Sequence, residues 1–185
     1  HPWVLYNPLS LLEALVPQGV TALVYDDLLF RNRLGAEGTL SAIQQLRALR
    51  LPARVFFATR LAPQSLFLEG EEGFPLEALP LLEDPSVALT AEITRWPRVV
   101  AGEEELLSGI LQAHRAGRRA EAHGAGASYS KLVALAAAGL DADHEALTAE
   151  EILDRLRLGF WTMLRHSSLR PDLPTLLENL PLPSS

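Results

Sequence analysis

The chain has 185 residues, 48% of them apolar, enough for one sizeable hydrophobic core and not obviously for two. A formal charge of −7, with arginines scattered rather than gathered into a stripe among aromatics, disfavours nucleic-acid binding. The absence of cysteine excludes disulfides, thiolate catalysis and cysteine-type zinc sites, leaving His, Asp and Glu as the strong metal ligands.

Along the chain, Val20 to Asp27 (VTALVYDD) has the pattern of a buried strand, and Gly35 to Pro52 follows as a helix stopped before its proline. Ala53 to Thr59 is a second strand, ahead of a Pro- and Gly-interrupted region and a short helix around Pro75 to Leu82. Ser86 to Glu92 precedes a helix from Glu103 to Gly117, and Arg118 to Gly124 precedes SYSKLVALAAAG. Gly139 to Glu145 then leads into TAEEILDRLRLG, and Gly159 to Ser168 into DLPTLLENL. Six strand-helix units of this length argue for parallel β/α packing, as a doubly wound sheet or as most of an eight-fold barrel. Thr148, ahead of Glu150 and Glu151, is placed as an N-cap, and Gly117 and Gly139 sit where helix C-caps belong. No apolar run approaches the ~20 residues of a membrane span, and HPWVLYNPLS has no basic n-region, so a cytoplasmic protein without membrane contact is expected.

Glu92, His123 and His144 each follow directly on a short apolar run. In parallel β/α folds the active site lies at the carboxyl ends of the strands, so three separate segments can aim metal-ligating side chains at one point. Glycine stretches such as GAGAS lack Walker or dinucleotide spacing, which removes a nucleotide-fold reading. His114 is read as a partner of its helix C-terminus and His166 as a strand-end loop residue. Trp3, Trp96 and Trp161 are read as core or rim packing, and Asp26 and Asp27 as strand-end carboxylates with either a functional or a loop-capping role.

The stretch SVALTAEITRWPRVVAGEEELL, followed by AEAHGAGASYSKLVALAAAGLDADHEALTAEEILDRLRLGFWTMLRHSS, resembles the central part of the adenine deaminase family of the amidohydrolase superfamily. The closest motif is ADHEALTAEE, which matches that family's Ser-Asp-His-Glu and Thr-x-Glu-Glu helix start. The resemblance implies an α/β fold of the (β/α)8 TIM-like barrel type, with residues 1–185 covering about strands 2 to 7 of a single domain and the flanking strands outside the sequence given. It implies two divalent metal ions, manganese, iron or zinc, bound by His1, Glu92, His123 and His144, with Glu92 as the bridging carboxylate and Glu145 beside His144 as a supporting residue. The implied reaction is hydrolytic deamination of adenine to hypoxanthine by attack of metal-bound hydroxide, the catalytic Asp being expected beyond Ser185. A small-molecule substrate, a purine base or cyclic amide, and a possible homodimer complete the expectation.

Departures from the family pattern fall on the pocket. An Asp-Pro-His-Glu segment after strand two is replaced by Asp26, Asp27, Leu28 and Leu29, and the paired methionines after the glutamate by Ile93 and Thr94. Two other readings therefore stand beside adenine deamination: hydrolysis of another cyclic amide or amidine, and a non-catalytic homologue acting as a binding or structural subunit.

Overall fold

The computed structural model of the chain describes residues 7–62 and 74–180. The β-branched and aromatic runs form strands β1 (Ala22–Asp26), β2 (Arg54–Thr59) and β3 (Val87–Thr90), parallel and adjacent in that order, with a register shift between Phe57 and Ala58 where β2 meets β3. Three shorter strands, β4 (Glu121–Ala122), β5 (Ala142–Asp143) and β6 (Trp161–Thr162), form a second parallel set. Parallel bridges from Leu89 to Arg119 and from Ile93 to Ala122 join β3 to β4. Six strands thus succeed one another in chain order. A doubly wound sheet would break that order at a switch point, and none occurs among the described residues.

Helices α1 (Pro8–Leu15), α2 (Leu28–Ala48), α3 (Phe74–Glu77), α4 (Leu79–Glu83), α5 (Trp96–Val100), α6 (Glu104–Arg115), α7 (Tyr129–Ala137), α8 (Ala149–Arg157) and α9 (Leu173–Asn179) fill the connections. Helices α1 and α5 have no counterpart in the strand-helix units expected from the sequence, the short helix expected around Pro75 to Leu82 is divided into α3 and α4, and α2 starts early. Helix α2 begins at Leu28 rather than Gly35, because the Asp26 carboxylate accepts the Leu28 N–H at 2.8 Å and starts a turn at once. Gly35, at φ +65° and ψ −171°, then breaks this helix, so the expected start is an internal kink. Helix α5 follows Arg95 and has Pro97 in its first turn, where its missing N–H costs nothing. Among the described residues no helix is long and apolar enough to cross a membrane.

Alternation along the strands gives the sheet two unlike faces. Tyr25, Phe57, Val87, Ala120 and Ala122 point to the helices and pack with Ile43, Leu81, Leu106, Ile110, Leu132 and Leu135 in one core. On the opposite face Val24 and Trp161 keep 55% and 62% of their surface exposed. Trp161 is therefore not a core residue; it lies under the Arg119 guanidinium, 4.4 Å from the ring centroid. Trp96 sits at the start of α5 with the Lys131 ammonium 5.3 Å from its ring. Trp3 and His1 lie outside the described residues.

Both expected helix C-caps adopt left-handed backbone, Gly117 at φ +71° and Gly139 at φ +96°. They differ in surroundings. A Cβ on Gly117 would meet nothing within 4 Å, whereas one on Gly139 would lie 3.1 Å from Ile110 Cγ2 and 3.3 Å from His114 Nε2. His114 donates to the Gly139 carbonyl at 2.6 Å, so the histidine read as a helix-end residue ties α6 to the turn before β5. Gly117→Ala is expected to cost about 1–2 kcal/mol from the backbone alone, and Gly139→Ala distinctly more. Urea unfolding of the two variants ranks them, and equal losses would show that the contact with α6 carries no strain.

Candidate metal centre

Glu92 stands just beyond β3, His123 directly after β4 and His144 directly after β5. Period-two alternation turns Glu121 and His123 to the open face, while Ala122 between them is buried in the core. The three candidate ligands converge: one donor atom from each of Glu92, His123 and His144 lies within 4.8 Å of the others. Glu92 Oε2 is 2.8 Å from His123 Nδ1 and 3.3 Å from His144 Nε2, and the two imidazoles meet edge to face at 5.4 Å. Glu145 Oε1 approaches both, at 3.4 Å from His144 Nε2 and 3.9 Å from His123 Nδ1.

His144, Glu145 and Glu92 are each held from behind. His144 Nδ1 is 2.6 Å from Glu121 Oε1, which turns Nε2 towards Glu92. Glu145 accepts from Arg165 at 2.6 Å. Arg60 donates to Glu92 Oε1 at 2.9 Å and to the Glu92 carbonyl at 3.3 Å, and it forms a two-point pair with the Asp26 carboxylate. Asp27 behaves differently from its neighbour: fully buried, it accepts the Thr59 hydroxyl at 2.6 Å and the Arg60 N–H at 3.0 Å, and burial pushes its carboxyl up to about 6 against those bonds.

The loops themselves are anchored on Asp143. Its carboxylate accepts from Gly124 N at 2.7 Å, Glu145 N at 2.8 Å and Arg155 Nε at 2.6 Å, all around a fully buried side chain. Gly124 follows His123 and Glu145 follows His144, so one carboxylate fixes the backbone beside two candidate ligands. Helix α8 carries Arg155 into position. It opens on Thr148, whose hydroxyl accepts the Glu151 N–H at 3.2 Å while the Glu151 carboxylate accepts the Leu147 N–H at 2.7 Å.

The charges are tightly paired. Hydrogen bonds from His123 and His144, aided by Arg60, hold the Glu92 carboxyl far below the usual carboxylate range in spite of its burial. Contact with Glu92 raises His123. Burial pulls His144 down, but Glu121 and Glu92 outweigh it and push this imidazole up to about 10. Two imidazoles and a carboxylate, with Glu121 fixing His144 and Arg60 fixing Glu92, form a donor set suited to a divalent transition-metal ion. A cavity of about 310 Å3 opens beside them on Glu92, Glu121 and His144, walled by Val24, Ala58 and Met163.

Sequence reasoning located Glu92, His123, His144 and Glu145 and missed Arg60, Glu121, Arg165 and the Asp143–Arg155 pair. Arg60 and Glu121 carried a usable signal: Arg60 follows β2 as Glu92 follows β3, and Glu121 shares a strand face with His123. His166 belongs to the loop after β6, is exposed, and is not among the three converging donors.

No family model matches the chain. Curated relatives do. A protein of Halalkalibacterium halodurans named "putative adenine deaminase" is 37% identical over 97% of this chain, and one of the same name from Picrophilus torridus is 35% identical over 98%. The adenine deaminase of Bacillus velezensis is 33% identical over 88% of it. The chain belongs to an adenine deaminase-like family. It spans about 31% of the length of the first of these relatives and 28% of the B. velezensis protein.

For this adenine deaminase-like chain, Arg155→Met is expected to cost about 3–5 kcal/mol, since it strands the buried Asp143 carboxylate. The double change Asp143→Asn with Arg155→Met should recover part of that loss in urea unfolding. A second expectation concerns pH. Because folding raises His144 from the ordinary 6.5 to about 10, its carboxylate contacts stabilise the metal-free protein fully below about pH 6.5, and that stability is lost as pH rises through about 10. The stability advantage of metal-free protein over His144→Gln should therefore shrink across this window; an advantage constant from pH 6.5 to 10 would contradict the pairing.

Proposed function

We propose that this chain carries the metal-binding strand ends of a hydrolase of the adenine deaminase type, acting on adenine and water to give hypoxanthine and ammonia in the cytoplasm. The observation that carries this reading is the convergence of Glu92, His123 and His144 beside a cavity at the ends of three successive parallel strands. The unbroken order of the six parallel strands supports an arc of a (β/α)8 barrel of the metal-dependent hydrolase type, which places those ends around a common site.

A bound divalent ion, manganese, iron or zinc, supplies activation of water near neutral pH. The chain's own residues do the rest of what can be assigned here. Glu121 fixes the His144 tautomer and ring, so that Nε2 rather than Nδ1 faces the centre. Arg60 fixes Glu92, and Arg165 fixes Glu145 beside both imidazoles. Val24, Ala58 and Met163 give the cavity an apolar wall suited to the flat face of a heterocyclic base.

A specific observation favours a second reading, hydrolysis of another cyclic amide or amidine. Asp26 faces the same cavity and is already neutralised by Arg60, so the end of β1 offers an ion pair where the family pattern has an imidazole and a carboxylate. The experiment is ammonia release by the metal-supplemented full-length protein, with adenine set against a panel of cyclic amides and amidines. Adenine turnover is expected. Turnover of another substrate without adenine would move the assignment to the second reading, and turnover of none would leave the non-catalytic homologue. Glu92→Ala and His144→Ala are each expected to lose bound metal by elemental analysis, and unchanged metal content in both would remove the proposed site.

A further inference from the structure

The carboxylate of Glu92 is not symmetric in its surroundings. Oε2 faces the two imidazoles, whereas Oε1 accepts a charged hydrogen bond from Arg60 at 2.9 Å. The Arg60 side chain is wholly buried. Its guanidinium is fixed at three points besides Oε1, by Nε to Asp26 Oδ1 at 3.0 Å, by Nη2 to Asp26 Oδ2 and by Nη1 to the Glu92 carbonyl at 3.3 Å. With its fork engaged by a two-point carboxylate pair, the guanidinium is held beside Oε1.

A glutamate that bridges two metal ions must present one oxygen to each. A divalent ion on Oε1, at a bond length of roughly 2.0–2.2 Å, would stand against the Arg60 guanidinium in a water-poor site, where like charges repel strongly. Moving Arg60 aside would leave Asp26 without its cation.

We infer that Arg60 is a positioning residue that reserves Oε1 of Glu92, so that Glu92 serves a single cation through Oε2 together with His123 and His144 and does not bridge two. This rests on the metal-dependent reading proposed above and departs from the two-ion arrangement that the family resemblance implies. Arg60 thereby sets the nuclearity of the centre at Glu92 and lowers the charge the carboxylate presents to its ion.

The test is electron paramagnetic resonance of the metal-stripped full-length protein titrated with Mn2+ to two equivalents. Expected for the native protein is a six-line spectrum of magnetically isolated Mn2+ at both one and two equivalents. Arg60→Gln, which opens Oε1, is expected to develop the exchange-coupled signal of a carboxylate-bridged pair at the second equivalent. Should this variant fail to fold, the double change Asp26→Asn with Arg60→Gln leaves no uncompensated carboxylate at Asp26 and serves the same comparison. An exchange-coupled signal in the native protein overturns the inference while leaving the metal-dependent reading intact. Retention of two isolated ions in the Arg60 variants also overturns it, since the arginine would then not be what prevents bridging. Failure of the native protein to retain Mn2+, with zinc and iron also not retained by elemental analysis, overturns both.

Discussion

The Arg155–Asp143 pair is the contact on which the arrangement of this molecule rests. Both side chains are almost wholly removed from water, a costly state for two charges, and it is offset because nearly every polar atom finds a partner. Arg155 gives its Nε to Asp143, its Nη2 to the Gly124 carbonyl at 3.1 Å and its Nη1 to the Glu151 carbonyl at 3.1 Å. Asp143 takes the backbone N–H groups of Gly124 and Glu145 in addition. One helix, one strand and two loops are thus tied at a single point in the interior. The tie tolerates little change: a Cβ on Gly124 would collide with the Asp143 carboxylate, so glycine is required there by space alone.

Above that buried layer lies a second one, half open to solvent, in which carboxylates and cations alternate. Asp26 and Glu92 share Arg60, His123 and His144 share Glu92, and Glu145 has Arg165. Every charge aimed at the cavity therefore has an opposite charge behind it. Such a layer is preorganised: a cation arriving at the imidazoles finds Glu92 already ionised and His144 already turned. In the metal-free state the same contacts favour protonated imidazoles, so protons must leave as metal enters.

Much of this was legible in the sequence, and the exceptions have physical reasons. Strand and helix order followed from apolar periodicity, and Glu92, His123 and His144 from the rule that parallel strands present chemistry at their carboxyl ends. The start of α2 was hidden because Arg31, Asn32, Arg33 and Gly35 dilute the apolar pattern, while the actual signal was a side-chain turn from Asp26. Arg60 escaped notice because arginine is no metal ligand, and its role depends on carboxylates 34 and 32 residues away. Glu121 pairs with a histidine 23 residues further on, a distance that local spacing does not encode. The brevity of β4, β5 and β6, two residues each, was equally invisible, since longer apolar runs surround them.

At the junction of β3 and β4, Thr90 N donates to the Arg119 carbonyl at 2.8 Å and Ile93 N to the Glu121 carbonyl at 3.0 Å. Between these bonds Glu121 N donates not to a peptide group but to the Thr90 hydroxyl, at 3.0 Å. A backbone ladder is indifferent to side-chain identity; this rung is not. The alignment of the two strand ends that bring Glu92 and His123 together is therefore written partly in one hydroxyl, and a substitution at Thr90, an uncharged residue outside the cavity lining, can put the two halves of the sheet out of step.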